Sequence, residues 1–377
     1  GANSVGGNTV LGESALDAAT TGGFNVAIGR NSLTELTTGT NNSALGNNAL
    51  KENTTASNNT AIGNDALKAN TTGTYNVAVG ALALDANTTA NNNTGLGYAS
   101  LGANTTGADN TSVGANALQS NTTAAFNSAF GQAALAQNTT GASNSAFGQG
   151  SLRANTTGSQ NVAVGTNALD ANTTASYGTA IGYGALGSNL TGANNTSIGH
   201  GTLAANTTGS ENVAVGRIAL ASNSTGTNNI AIGYGALDAN TTNSYNIAIG
   251  RDALGVNNGG GNNVAIGAFA LDANTTGGSS VAVGYNALTA NIGGAQLVAV
   301  GTGALEANTT GNYNVAVGAQ ALESNTTGAN NVAVGLQALE ENTTASNNTA
   351  VGHAALSTNV TGTSNAALGT NALRDNT

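Results

Sequence analysis

The chain has 377 residues and a net charge of −10, with only seven Lys and Arg, 55 Gly, and no Pro, Cys, Met or Trp. Charged residues make up 6%, against roughly 25% in ordinary globular domains. That balance leaves no basic footprint for nucleic acid or an anionic membrane. Without cysteine there is neither a disulfide framework nor a thiolate metal site, and no apolar run is long enough to insert in a bilayer.

A fixed internal period replaces the domain count. Gly12, Gly29, Gly46, Gly63, Gly80 and every seventeenth residue onward to Gly369 are glycine, giving 22 copies without an insertion. Residues 1–377 therefore read as one continuous repeat array with no separate globular domain. A disordered low-complexity chain shares much of this composition. It has no reason, however, to keep Leu at one phase from Leu16 to Leu373. The start, GANSVGGNTV, lacks an initiator Met and a signal peptide, as expected of a processed or partial product.

The copy Asn76 to Asn92, NVAVGALALDANTTANN, serves as the reference, with Asn76 as position 1 and Gly80 as position 5. Positions 2 to 4, Val77-Ala78-Val79, are β-branched around a small residue and bounded by Gly, which predicts a short strand. Gly80, Gly165 and Gly216 at position 5 predict a corner with positive φ or crowded backbone. A second extended segment is expected at positions 8 and 9, Ala83 and Leu84, running toward Asn87 at position 12. Asn87, Asn172 and Asn206 are expected to stack as an amide ladder along the axis, and to serve a second corner with the Thr-Thr-Gly that follows. Recurrent Gly with paired Thr and Asn excludes a helix over seventeen residues.

The fold class that follows is all-β: a parallel β-solenoid of 17 residues per turn and about 22 turns, a rod about 105 Å long at ~4.8 Å per strand. Alternation puts positions 2 and 4 on one face and position 3 on the other. Size then assigns the core to Val79, Leu84, Val164, Leu169, Val215 and Leu220, leaving the Ala columns at positions 3 and 8 as a face for another backbone. Two or three large apolar groups per turn are few against seventeen ordered residues, which also points to a partner chain. Position 10 includes Glu306, Glu323 and Glu340 on successive turns, and such like charges persist where water screens them. Aromatics fall mainly at two phases: Tyr98, Tyr183, Tyr234 and Tyr285 at position 6, and Tyr245 and Tyr313 at position 17. These six are the candidate exposed contact residues.

No enzyme site assembles. His200 and His353 lie nine turns apart, carboxylates are sparse, and no insertion forms a pocket, so catalytic, cofactor and metal sites are each read as none. Gly259-Gly260-Gly261 precedes a strand, where a phosphate loop would follow one. Calcium binding of the nonapeptide type lacks its motif. Asn53, Asn70, Asn87 and Asn104 each head an Asn-Thr-Thr sequon, although the ladder explains the same residues.

NVAVGxxAL, as in Asn161 to Leu169 and Asn212 to Leu220, resembles the NSVAIGxxS repeats of trimeric autotransporter adhesin heads, which build parallel β-rolls associated as trimers. The longer unit at Asn59 to Gly73, NTAIGNDALKANTTG, is similar to arrays in bacterial and phage tail-fibre-domain proteins. The resemblance implies a homo-oligomer, a trimer or a polymeric filament, at the cell surface, outside the cell or on a virion. The expected function is a structural shaft, extended head to tail because neither end of the chain carries a distinct cap. Two alternatives stand beside it: an adhesin binding glycan or a cell surface through its exposed columns, and an ice-binding solenoid. The second is weakened because adjacent Thr71 and Thr72 point to opposite faces, leaving one outward Thr column.

Overall fold

A computed structural model describes residues 6–376 as two compact units, Gly1–Thr191 and Gly192–Thr377. Each is a parallel β-solenoid with about 17 residues per turn, and no helix occurs among the described residues. The first unit holds strands β1 (Thr9–Leu11) to β11 (Thr179–Ile181), and the second β12 (Thr196–Ile198) to β22 (Ala366–Leu368). Every strand has three residues, at positions 2 to 4 of its copy. Within each unit successive strands pair in parallel and in register, so that Val77 lies beside Thr60 on one side and Thr94 on the other. In the second unit Val281 lies likewise between Val264 and Val298. A seventeen-residue shift thus superposes each side chain on its counterpart, which is what the repeat selects for.

The strand faces are reversed from the sequence expectation. In every strand after β1 the middle residue is the buried one; Ala78, Ala163 and Ala214 are fully buried. Val79 and Val215 are only half-buried and Val164 is 37% exposed, so these three valines stand on the outer face and not in the core. Ala83 at position 8 is buried as well, and the Ala columns are therefore no partner face. Alternation holds along each strand, but side-chain size does not decide which face points inward. A turn of seventeen residues has room inside for about one large side chain, and Leu84, Leu169 and Leu220 occupy that place, at 0%, 1% and 0% exposed. The walls opposite must then be alanine.

The expected second extended segment is a chain of tight turns. Ala83 N donates to Gly80 O at 3.4 Å and Asn87 N to Leu84 O at 3.1 Å, closing two three-residue steps. Between them Leu82 and Leu84 adopt φ of 59° and 52°. Left-handed backbone costs a leucine about 1–2 kcal/mol, which burying its side chain offsets at ~1.5–3 kcal/mol. The conformation also aims alternate amides up and down the stack: Leu82 N reaches Asn64 O at 3.0 Å in the preceding turn, and Leu84 N reaches Ser100 O at 3.0 Å in the following one. Asn87 does not join the left-handed residues; positions 7, 9 and 17 do.

Gly80 fulfils both reasons given for glycine at position 5. Its φ is +136°, and a Cβ there would lie 2.5 Å from the carbonyl oxygen of Gly97. Gly165 and Gly216 stand in the same relation to Gly182 and Gly233, at 2.6 and 2.5 Å.

Candidate functional site

Two asparagine ladders run through the interior. At position 12, Asn87 is fully buried; its Nδ2 donates to Asn70 Oδ1 at 2.9 Å and to Ala90 O at 3.1 Å, and its Oδ1 accepts from Asn104 Nδ2 at 3.1 Å. Asn172 repeats the arrangement, donating to Asn155 Oδ1 at 2.8 Å and Ala175 O at 3.1 Å. Asn206 donates to Gly209 O at 2.9 Å and accepts from Asn223 Nδ2 at 2.8 Å. Where Asn neighbours Asn at position 12, as at Asn87, both amide protons and the oxygen are engaged, so the buried polar column satisfies itself.

The second ladder, at position 1, did not emerge from the sequence. Asn76 Oδ1 accepts the backbone amide of Asn93 at 3.0 Å, and its Nδ2 donates to Ala90 O at 2.8 Å. The two columns therefore converge on the carbonyl at position 15, which receives both Nδ2 groups. The signal was available, because Asn fills position 1 in most copies. Position 13 adds a third ladder, in which Thr88 Oγ1 and its amide both donate to Thr105 O at 3.2 Å.

Burial settles the sequons on the folded chain. Asn53, Asn70, Asn87 and Asn104 are fully buried with their Nδ2 groups donating inward, so no glycosyl transfer can reach them without unfolding the turn.

The turn of Asn243 leaves polar groups of these columns unpaired. Position 15 is Gly or Ala in the neighbouring copies but Asn243 here, and the Nδ2 atoms of Asn243 and Asn246 are buried without a partner. The ladder bond from Asn257 Nδ2 to Asn240 Oδ1 stretches to 3.4 Å nearby. A buried amide donor left unpaired costs about 1–3 kcal/mol.

The exterior has three distinct columns in which chemistry varies. The first is the strand face. Position 4 is apolar in every copy, and no charged residue occurs at positions 1 to 5. In the second unit, position 2 is Val or Ile on eight successive strands, from β13 (Val213–Val215) to β20 (Val332–Val334). Two apolar columns thus stand side by side on the outer surface, with Ile232, Ile266 and Val300 at 36–38% exposed. In the first unit position 2 is mostly Thr or Ser, and Phe130 and Phe147 at position 4 stack with centroids 4.9 Å apart.

The second column is position 17, where Tyr245 and Tyr313 are 62% and 57% exposed. The third is the edge formed by positions 6, 7 and 10. Tyr98, Tyr183, Tyr234 and Tyr285 lie there at 44–59% exposed. Tyr234 sits between two arginines, with Arg217 Cζ 5.7 Å and Arg251 Cζ 5.9 Å from its ring centroid. Arg251 Cζ also lies 5.6 Å from the Phe269 ring, which meets Tyr285 edge-on at 6.1 Å. Five successive turns therefore carry one cation–aromatic stack.

Carboxylates line the same edge at position 10. Partial burial pushes the carboxyl of Asp238 up, with Asp252 adding repulsion, and Asp272 is raised by burial and then by Asp252 and Asp238. Glu323 is raised by burial and then by Glu306, with Glu340 contributing less. In the first unit Asp85 is raised chiefly by burial. Among the described residues no three His, Asp or Glu side chains come together to hold a metal ion, and no helix is long and apolar enough to cross a membrane. The chain matches no family model and no curated protein.

Proposed function

We propose that the chain is the shaft of a structural fibre outside the cell or on a virion, in which copies associate side by side through the outward apolar face of their strands. The observation that carries this reading is the pair of Val and Ile columns on β13 to β20. If about a quarter of each side chain is left to be covered, each contributes ~0.4–0.8 kcal/mol of the ~1.5–3 kcal/mol available on full burial. Eight strands with two such residues then supply ~6–12 kcal/mol, comparable with the ~4–15 kcal/mol that association costs. A contiguous apolar surface without charge is also rare on a protein that works alone. The resemblance to adhesin heads and tail fibres supports a trimer and an exported location.

A threonine-for-valine exchange tests this. Val264→Thr, Val281→Thr and Val298→Thr together keep the β-branched shape and leave the interior untouched. Sedimentation should show an oligomer for the parent chain and a lower mass for the variant. A parent chain that is monomeric at all concentrations, or a variant of unchanged mass, refutes the reading. The second reading, adhesion to glycan, is favoured by the exposed Tyr234 and Tyr245 and predicts glycan binding that is lost on replacing either by Ala.

A further inference from the structure

One copy in the second unit departs from the repeat just after its ladder asparagine. Most copies run Asn-Thr-Thr at positions 12 to 14, but residues 257–260 are Asn-Asn-Gly-Gly, which puts Asn258 in the threonine column and Gly259 behind it. Asn258-Gly259 is the single Asn-Gly step in the 377 residues. The ladder asparagines around it, Asn240, Asn257 and Asn274, are fully buried, with their Nδ2 groups donating inward. Asn258 and Gly259 are both exposed.

The exchange redirects one bond of the threonine ladder. Thr71 Oγ1 donates to Thr88 O at 3.0 Å and Thr275 Oγ1 to Ile292 O at 3.1 Å, in each case to the backbone one turn on. Thr241 Oγ1 donates instead to the side chain of Asn258, at 2.6 Å from Oδ1. A hydroxyl there draws electrons from Cγ and stands where negative charge collects when a nucleophile adds to that carbon. The nucleophile at hand is the next backbone nitrogen. In the following turn Thr276 N donates to Ile292 O at 3.0 Å, whereas Gly259 N has no hydrogen-bond partner among the described residues. Nor has Asn258 Nδ2, the nitrogen that would leave. With no Cβ at 259 the nitrogen approaches Cγ unhindered. The turn is also held less closely than others: Asn258 N lies 3.3 Å from Thr275 O, against 2.9 Å from Thr71 N to Thr88 O.

We propose that Asn258-Gly259 is a self-modifying step of the folded solenoid, at which Asn258 loses its amide and becomes a carboxylate with the help of Thr241. Gly259 N gives its proton to solvent base and adds to Asn258 Cγ. The displaced electron pair moves onto Oδ1, under the Thr241 hydroxyl, and returns as the Cγ–Nδ2 bond breaks. Nδ2 takes a proton from solvent and departs as ammonia, leaving a cyclic imide. Water then adds across one of the two imide C–N bonds, its hydroxyl going to carbon and its proton to nitrogen. Opening at Cγ gives aspartate, and opening at the main-chain carbonyl gives isoaspartate. One water is consumed and one ammonia released, with no oxidation or reduction. Either product places a negative charge in a column that is otherwise uncharged. Isoaspartate also carries the backbone through Cγ, lengthening that turn by one methylene beside the ladder bond already stretched to 3.4 Å. The step needs no partner, so it stands apart from association through the strand face.

Storage of the folded chain in warm, mildly alkaline buffer tests this, followed by isoelectric focusing, peptide mass mapping and isoaspartyl methyltransferase labelling. Conversion should be confined to Asn258, seen as an acidic shift and as OH in place of NH2 in the peptide that holds it. It should quicken as pH rises, because Gly259 N attacks as it loses its proton. Thr241→Val should slow it about three- to tenfold, the span that one hydrogen bond to a developing charge covers at an exposed site. Val360 and Ser224 occupy position 13 in other copies, so the column accommodates both residues. Thr241→Ser should therefore restore the parent's rate, just as Ser224 Oγ donates to Thr241 O at 3.0 Å one turn earlier. Asn258→Thr should abolish the acidic shift. An Asn258 that stays intact in the folded chain while the same chain unfolded in denaturant converts overturns the proposal. So does conversion spread equally over Asn257 and Asn274, or a Thr241→Val rate no lower than the parent's.

Discussion

Removing one rung of the position 12 ladder should open the solenoid locally and strongly. Asn87→Ala deletes the bonds to Asn70 Oδ1, Ala90 O and Asn104 Nδ2. At about 1 kcal/mol net for each bond the loss is ~3 kcal/mol, and Asn70 Oδ1 and one Asn104 amide proton are then buried without partners at ~1–3 kcal/mol each. The expected cost is therefore ~5–9 kcal/mol, confined to adjacent turns because each repeat touches only its neighbours. Hydrogen exchange is the appropriate assay. Protection of the Asn70, Asn87 and Asn104 amides should fall at least about a hundredfold, since each factor of ten corresponds to ~1.4 kcal/mol. Thr89→Ala, at an exposed position one residue from the ladder's backbone contacts, should change exchange little. Equal loss in the two variants, or none in the first, would show that the amide column is not what holds the turns together.

Replacing Asn243 by Ala, the residue found at position 15 in several other copies, should stabilise its turn by ~1–3 kcal/mol, because one unpaired donor is removed and room is left for the Asn246 amide; slower exchange around residues 240–263 would register it. Gly80→Ala should be severely destabilising, since its Cβ would meet the Gly97 backbone at a φ of +136°, and a normal melting profile would contradict that close approach. Mild acidification should raise stability. Burial raises the folded pKa values of Asp85, Asp238, Asp272 and Glu323 above their ordinary values, so the folded state takes up protons first; the stability this supplies is gained as pH falls and lost as pH rises through the folded pKa values. Melting temperatures measured from pH 7 down to about 4.5 should climb; a steady fall would refute the direction of these shifts.

The period, the strands, the glycine corner and the position 12 ladder were legible because each depends on a residue type with one dominant physical reason for recurring. Gly80 is needed where no Cβ fits, and Asn87 where a side chain must donate and accept along the axis. Which strand face points inward was not legible, since Val77-Ala78-Val79 obeys the alternation either way. The deciding quantity is interior volume, and that depends on the path of the remaining fourteen residues, including the left-handed Leu82 and Leu84 that no propensity predicts. The Arg217–Tyr234–Arg251 stack was missed for a related reason. A column of like residues shows up at one phase, whereas this stack joins unlike residues on adjacent turns.

The inside and the outside of this repeat follow different rules. An interior side chain is held by the turn before and the turn after, so Asn87 cannot change without orphaning groups in both neighbours, and the interior columns stay nearly uniform through both units. An outward residue answers to no such constraint. Position 2 is consequently free to be Thr or Ser through most of the first unit and Val or Ile on eight successive strands of the second, with no change in register or interior bonding. Chemical identity on the surface is thus written in runs of turns and not in single residues. A contact built on such runs reads spacing as well as charge, and a surface that repeats every turn gains specificity only where a run breaks the repeat. The apolar run on β13 to β20 and the Arg217–Tyr234–Arg251 stack on the neighbouring edge are two such breaks.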